Sequence, residues 1–376
     1  MKGIYVDDER QQALTLVGRL RSEELSIEVL DPEADILSLA TQIAEARPNL
    51  VLIDYRLDQN VVGDAAVAVG YRAAPLAQQL RDKSTDPTIA DFPIVLISSE
   101  DKIRSRFRPE KTAHDLFDWM VIKAKVGKDP SLQKVLVGLA KGYNKLHSLN
   151  GKYNDLSIFG IDESFDFLVD HQELNVALGD AEYPHIAARY VLSFMIKRQG
   201  ILVDRANLYA RLGVLPPEGL ALEAVNTWLG KEKYQGVFFE CRDCWWSALV
   251  DERLRETFKR AYTQLSATER AHQLGDFLGV SLEAASDPWT NSSAFSPTFA
   301  CACCKLPTPL SHSLACFDSR IPSFVQRLRV CYKCIQTDRL QEEMSAHNDD
   351  HQLQIDVNEE FIARRLRAYE MRPEDA

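Results

Sequence analysis

The sequence predicts an α/β protein: a doubly wound, parallel five-stranded sheet, then a mainly α-helical region with a Cys-rich module. Three observations predict it. Short apolar runs recur early in the chain: "GIYVDD", "SIEVLD", "LVLIDY", "PIVLIS" and "WMVIKA". Helix-length polar/apolar patterns alternate with them, as a parallel sheet covered on both faces requires. Far downstream, two Cys-x2-Cys pairs stand close together. They predict a small module held by a metal rather than by a core.

In chain order, the helix patterns are Gln11 to Ser22, Ala34 to Ala46, Gly63 to Arg81 and Ile103 to Leu116. Pro130 and Ser131 then open "SLQKVLVGLAKGYNKL". These elements fill a first domain, residues 1–148. A mainly helical domain, 149–290, is predicted from "YPHIAARYVLSFMIKR", "LVDRANLYARLGVL", "PEGLALEAVNTWLG" and "ERLRETFKRAYTQL". The loop-like "SDPWTNSSAFSPTFA" leads into the Cys-rich region, 291–376, which closes on an acidic spacer and the amphipathic "EEFIARRLRAY".

A chain of 376 residues is long enough for two or three domains with real cores. Apolar residues make up 45% and charged residues 26%, the balance of a globular protein. No apolar run reaches the roughly 18 residues of a membrane span, and "MKGIYVDDE" has no secretion-signal pattern. The expected compartment is the cytoplasm, where eight cysteines serve as metal ligands or free thiols rather than disulfides. The net charge of −11 is uneven, −2 over residues 1–150 and −9 over 151–376. An acidic C-terminal part argues against broad binding to duplex DNA, which phosphate neutralisation dominates.

Ligands of parallel sheets sit beyond the carboxyl ends of the strands. The first strand ends in Asp7 and Asp8, the third in Asp54, the fourth in Ser98 and Ser99, and the fifth reaches Lys123. Any one of these alone reads as a solvated strand end. Together they place three acids, a hydroxyl and an ammonium on one edge. Three carboxylates suit a hard divalent cation such as Mg²⁺. Asp54 could then act as a nucleophile toward a phosphoryl group, with Ser98 and Lys123 binding its oxygens.

This pattern resembles the receiver domain of two-component response regulators. "IYVDDE", "LVLIDYRL", "PIVLISS" and "VIKA" carry the resemblance, which covers roughly residues 1–147. It implies a flavodoxin-like fold, Asp7 and Asp8 as Mg²⁺ ligands beside Asp54, Asp54 as phosphoacceptor, Ser98 as switch hydroxyl and Lys123 as active-site lysine. It also implies a histidine kinase or related phosphodonor as partner, in a bacterial signalling system. The sequence departs from the family at Ala124, where proline usually follows the lysine, and at Met120, beside Trp119, where an aromatic switch residue usually stands. The stretch from Asp54 to Ser98 is also longer than usual.

Downstream, Cys301-x2-Cys304 and Cys331-x2-Cys334 are separated by 26 residues. Four thiolates fit tetrahedral structural Zn²⁺. Cys241-x2-Cys244, among crowded aromatics, reads as buried thiols, a redox dithiol or half a zinc site. With Cys303 and Cys316 it could form a second centre. His312 is left over, and His171 and His185 read as ordinary histidines. The leading expectation is a non-enzymatic signalling protein whose output region makes a protein contact; homodimerisation is left open. The alternatives are a nucleic-acid-binding regulator, with the middle helices or the zinc region as reader and duplex DNA a possible partner, and a non-phosphorylated receiver-like adaptor of a regulatory or anti-phage operon; "RIPSFVQRLRVCYKC", with Arg320, Arg327, Arg329 and Lys333, is locally basic. No catalytic motif of an enzyme stands out in the output region.

Overall fold

The computed structural model describes residues 1–58, 61–62, 67–99, 115–317, 321–322, 324–337, 339 and 355–370. They divide into two compact units. The first holds Met1–Ser193 and Gln235–Arg242; the second holds Phe194–Tyr234 and Asp243–Ala376.

In the first unit, β1 (Lys2–Val6), β2 (Ser26–Leu30), β3 (Leu50–Asp54), β4 (Ile94–Ser98) and β5 (Trp119–Ile122) form one sheet. Its order is β2-β1-β3-β4-β5, and every neighbouring pair is parallel. Every residue of β3 and β4 is buried, which is why these runs are continuously apolar. The order reverses between β1 and β3, so the crevice beyond their carboxyl ends is the topological switch point of the sheet. This is the receiver-type fold expected from the sequence.

Among the described residues, four longer helices cover the sheet: α1 (Arg10–Leu20), α2 (Ile36–Glu45), α3 (Ala73–Lys83) and α4 (Ser131–Ser148). In α1, Ala13, Leu16, Val17 and Leu20 are buried, a single helical stripe. Asp35 starts α2 by accepting a hydrogen bond from the Leu37 amide at 3.0 Å. The helix then buries Leu39, Ala40, Ile43 and Ala44. Full burial of a Leu or Ile side chain stabilises by about 1.5–3 kcal/mol.

The helix expected over Gly63 to Arg81 is shorter than its pattern. It begins at Ala73, so that Pro75 falls in the first turn, where a missing amide costs no hydrogen bond. Upstream, Val61–Val62 and Val67–Ala68 pair instead as a short antiparallel ladder. The pattern from Ile103 to Leu116 lies almost wholly outside the described residues. The "ERLRETFKRAYTQL" helix is interrupted at Lys259, whose positive φ of 56° ends it.

The unit boundary differs from the expected break at residue 148. After α4 the chain stays in the first unit through α5 (His171–Leu178) and α6 (Pro184–Tyr190). The His185 ring and amide both bond Asp91 Oδ2 at 2.8 Å. The Gln235–Arg242 strap joins the same unit, its Val237 amide donating to Ile158 O at 2.8 Å.

In the second unit, β6 (Leu202–Asp204) leads into α7 (Arg205–Leu212), followed by α8 (Gly219–Trp228). Strand β7 (Cys244–Trp246) pairs antiparallel with β6 and is followed by α9 (Ser247–Phe258) and α10 (Ala267–Leu278). Val203, Leu208, Leu212, Trp245, Leu254 and Leu274 belong to their shared core. The described residues just after 290 are not a separate body, because they bond to this core. The Ala300 amide donates to Asn207 Oδ1 at 2.6 Å, and Arg270 Nη1 donates to Pro297 O at 2.7 Å. Two short hairpins, β8 (Phe299–Ala300) with β9 (Pro307–Thr308) and β10 (Ser313–Ala315) with β11 (Arg329–Cys331), frame the cysteine module. Helices α11 (Tyr332–Gln336) and α12 (Glu360–Glu370) follow.

Candidate functional site

The acids expected at the sheet edge do converge. Asp7 and Asp8 follow β1 directly, and Asp54 is the last residue of β3. Each offers a carboxylate oxygen within 4.8 Å of the other two, and all three residues are buried. Lys123, just past β5, reaches in from the side. Its Nζ lies 2.8 Å from Asp54 Oδ1 and 3.0 Å from Asp7 Oδ2, and it also donates to Gln12 Oε1 at 3.3 Å.

Backbone and hydroxyl donors also hold oxygens of Asp54 and Asp7. The Arg56 amide donates to Asp54 Oδ2 at 2.9 Å, and the Glu9 amide to Asp7 Oδ1 at 2.8 Å. Tyr5 donates its hydroxyl to Asp7 Oδ2. Ser98 is fully buried at the end of β4, and its hydroxyl makes no hydrogen bond among the described residues. Strand register brings Ser98 opposite Ile122, the residue before Lys123. Met120 is buried in the core on one face of the sheet, and Lys123 opens a short 3₁₀ turn through Ala124 to Lys125.

Burial pushes the Asp54 carboxyl above its ordinary pKa, against the pull of Lys123. Lys123 is itself partly desolvated, but Asp54 and Asp7 more than offset this and raise its pKa. Lys123 is therefore shared by Asp54 and Asp7, with the third buried acid, Asp8, beside them. A hard divalent cation fits this donor set, since it supplies the charge that Lys123 alone does not and prefers oxygen ligands.

The cysteines expected to bind zinc also come together. Cys301, Cys304, Cys331 and Cys334 place their sulfurs within 4.8 Å of one another. Cys301 and Cys334 Sγ are 4.0 Å apart, and Cys304 and Cys331 Sγ are 3.8 Å apart. A tetrahedron with metal–sulfur bonds of about 2.3 Å has edges of about 3.8 Å, whereas a disulfide needs about 2.05 Å. The Cys303 and Cys331 amides donate to Cys301 Sγ at 3.4 and 3.1 Å, which favours a thiolate there. The donor set and its spacing fit Zn²⁺.

Among the described residues, no group of three or more metal-capable ligands includes Cys241, Cys244, Cys303 or Cys316. The Cys241 thiol faces Val135 O at 3.7 Å, Cys244 faces Ile196 O at 3.9 Å and Cys303 faces Arg339 O at 3.4 Å. The Cys-x2-Cys spacing is local, but these sulfurs are turned to carbonyls on different elements. Of the basic stretch, Arg327 pairs with Asp356 at 2.6 Å and Arg329 with Glu359 at 3.3 Å; Arg320 lies outside the described residues. His312 is held by Asp287, its Nδ1 2.6 Å from Asp287 Oδ2, and His171 lies on the surface near Asp166.

Sequence reasoning missed Tyr5, Gln12 and the amides of Glu9 and Arg56. The amides carry no side-chain signal. Tyr5 does, because a hydroxyl inside an apolar strand needs a buried partner.

No family model matches the chain, and no curated protein does. Several solved structures are similar to it. The signal receiver domain assigned to NarL of Mycobacterium tuberculosis is 18% identical, covering 38% of this chain and 96% of its own, with a TM-score of 0.27. The Legionella pneumophila response regulator LqsR is 15% identical over 62% of this chain and 75% of its own, with a TM-score of 0.27. RcsB of Salmonella enterica serovar Typhimurium, in a structure bound to promoter DNA, is 13% identical over 50% of this chain and 92% of its own, at a TM-score of 0.26. No described helix is long and apolar enough to cross a membrane.

Proposed function

We propose that this is a two-component-type signalling protein whose receiver unit accepts a phosphoryl group on Asp54 and controls the second unit through protein–protein contacts. One observation carries the reading: Asp7, Asp8 and Asp54 meet Lys123 at the switch point of the sheet. The phosphodonor would be a histidine kinase or a related small phosphorylated compound.

In this reading Asp7, Asp8 and Asp54 hold Mg²⁺, which would neutralise charge on the incoming phosphoryl group. Asp54 attacks phosphorus through a carboxylate oxygen. That O–P bond forms as the donor's bond to phosphorus breaks, and the leaving group departs with the donor. Arg56 N–H keeps the other Asp54 oxygen in place. Lys123 moves from carboxylate to phosphoryl oxygens, and the Ser98 hydroxyl, which has no hydrogen-bond partner among the described residues, becomes a further donor.

Zinc on Cys301, Cys304, Cys331 and Cys334 would have a structural role, since four thiolates leave no open position. The second unit is read as non-enzymatic. Protein contact is favoured over duplex DNA because Arg327 and Arg329 are neutralised by acids. Exposed Leu220 and Phe277 add apolar surface to the same unit.

The test is acetyl phosphate with Mg²⁺, read by intact mass. Wild type should gain one phosphoryl group, and Asp54→Asn should gain none. Equal labelling of both chains refutes Asp54 as acceptor, and no labelling of either supports a receiver fold used only as a binding platform.

A further inference from the structure

Tyr5 lies two residues before Asp7 on β1, so both side chains leave the strand on the same face. It is fully buried, and its hydroxyl donates to Asp7 Oδ2. Lys123 donates to that same oxygen at 3.0 Å. We propose that Tyr5 is a positioning residue for the cation site: it holds the Asp7 carboxylate in its ligating orientation when Lys123 turns to a phosphoryl group. The inference rests on the reading of Asp54 as phosphoacceptor.

Donor supply at Asp7 is what Tyr5 changes. Lys123 serves Asp7 and Asp54 together. If it leaves for a phosphoryl oxygen, Asp7 Oδ2 loses the Lys123 hydrogen bond. Glu9 N–H still fixes Oδ1 at 2.8 Å, but one anchored oxygen leaves the carboxylate free to rotate about its Cβ–Cγ bond. The Tyr5 hydroxyl supplies the second anchor. A phenol hydroxyl adds no charge of its own, so it fixes Asp7 without competing with the cation, which a second lysine would do. Phenylalanine would fill the same space, so the hydroxyl is there for its hydrogen bond and not for packing. An unbonded hydroxyl at a buried strand position would destabilise the fold.

The experiment compares wild type, Tyr5→Phe, Asp7→Asn and the double variant in the full chain. Mg²⁺ binding is measured by titration calorimetry, and acetyl-phosphate labelling rates are measured across Mg²⁺ concentration. Partners that orient metal ligands typically change affinity by about 10–100-fold. Tyr5→Phe should therefore weaken Mg²⁺ binding by roughly 10-fold or more. The Mg²⁺ concentration for half-maximal labelling should rise equally, with the rate at saturating Mg²⁺ nearly unchanged. A purely structural role would instead lower the saturating rate and the melting temperature without moving Mg²⁺ affinity, and that overturns the proposal. Unchanged or tighter Mg²⁺ binding also overturns it. In the Asp7→Asn background, Tyr5→Phe should have no further effect on Mg²⁺; an additive loss shows that Tyr5 does not act through Asp7. Should Tyr5→Phe alone misfold, that background removes the buried charge and still gives the comparison. If wild type neither binds Mg²⁺ nor labels, the functional reading itself fails; if it does both and Tyr5→Phe matches it, only the role of Tyr5 fails.

Discussion

Asp91 and Asp118 stand at the amino ends of β4 and β5, away from the edge that carries Asp54, and both are buried. Arg81 joins them, with Nη1 2.9 Å from Asp91 Oδ1 and Nη2 2.7 Å from Asp118 Oδ2. Tyr143 of α4 donates to Asp118 Oδ1 at 2.7 Å, and His185 of α6 lies 2.8 Å from Asp91 Oδ2. Burial works against the Asp91 charge, but Arg81 and His185 outweigh it and hold its pKa below the ordinary carboxylate range. A carboxylate with a depressed folded pKa stabilises fully above its unfolded value, near 4, and that stability is lost as pH falls through the folded value. Asp91→Asn should therefore cost stability at neutral pH, by about 3–5 kcal/mol for breaking a buried pair. The deficit against wild type should shrink as pH drops below about 4. Urea denaturation at stepped pH reads this directly, and parallel curves for the two proteins would show that Asp91 is not the titrating group. The three-acid edge was legible because Asp7, Asp8 and Asp54 stand at the ends of apolar strands. This second network was not, since Arg81, Asp91, Asp118, Tyr143 and His185 share no spacing in the sequence and meet only through the fold.

Two glycines show how elements were and were not readable. Gly138 and Gly142 lie inside α4, where glycine weakens a helix by up to about 1 kcal/mol relative to alanine. Their spacing puts them on one face, and the Gln235–Arg242 strap lies against that face. A Cβ on Gly142 would sit 2.2 Å from the Phe238 ring, and one on Gly138 would sit 2.9 Å from Glu240 Cβ. Gly18 in α1 is also helical, but a Cβ there meets nothing within 4 Å. The two positions should respond in opposite directions. Gly142→Ala should destabilise by about 1–3 kcal/mol through overpacking, and Gly18→Ala should stabilise by about 0.5–1 kcal/mol. The urea midpoint measures both, and a stabilising Gly142→Ala would mean that the strap yields without cost. The amphipathic pattern of α4 was plain in "SLQKVLVGLAKGYNKL". What covers its glycine face was not, because a strap from nearly a hundred residues downstream is joined to it by packing and not by any local pattern. The same limit explains the boundary misplaced at residue 148. Periodicity marks where helices are, whereas a unit boundary depends on which distant segments bury each other.

At the scale of the whole molecule, the two units rest on different sources of stability. The first has a sheet buried on both faces and a ring of amphipathic helices. The second has a helical core joined to short hairpins whose own core is largely cysteine: Cys301, Cys303, Cys316, Cys331 and Cys334 with Ala302 and Val330. Strands of two or three residues are too short to stand without a further tie. The four-sulfur set joins both hairpins, since Cys301 and Cys304 follow β8, and Cys331 and Cys334 end β11 and lie in α11. In such a module metal binding and folding are one free energy. A zinc-selective chelator should therefore lower the unfolding temperature of the second unit and leave that of the first where it was. Thiol modification should release about one zinc per chain. Cys304→Ser should lose that zinc, whereas Cys303→Ser, which is not one of the four clustered ligands, should keep it. Scanning calorimetry with and without chelator separates the two transitions. If both transitions move together, or neither moves, the four cysteines do not anchor the second unit through a metal.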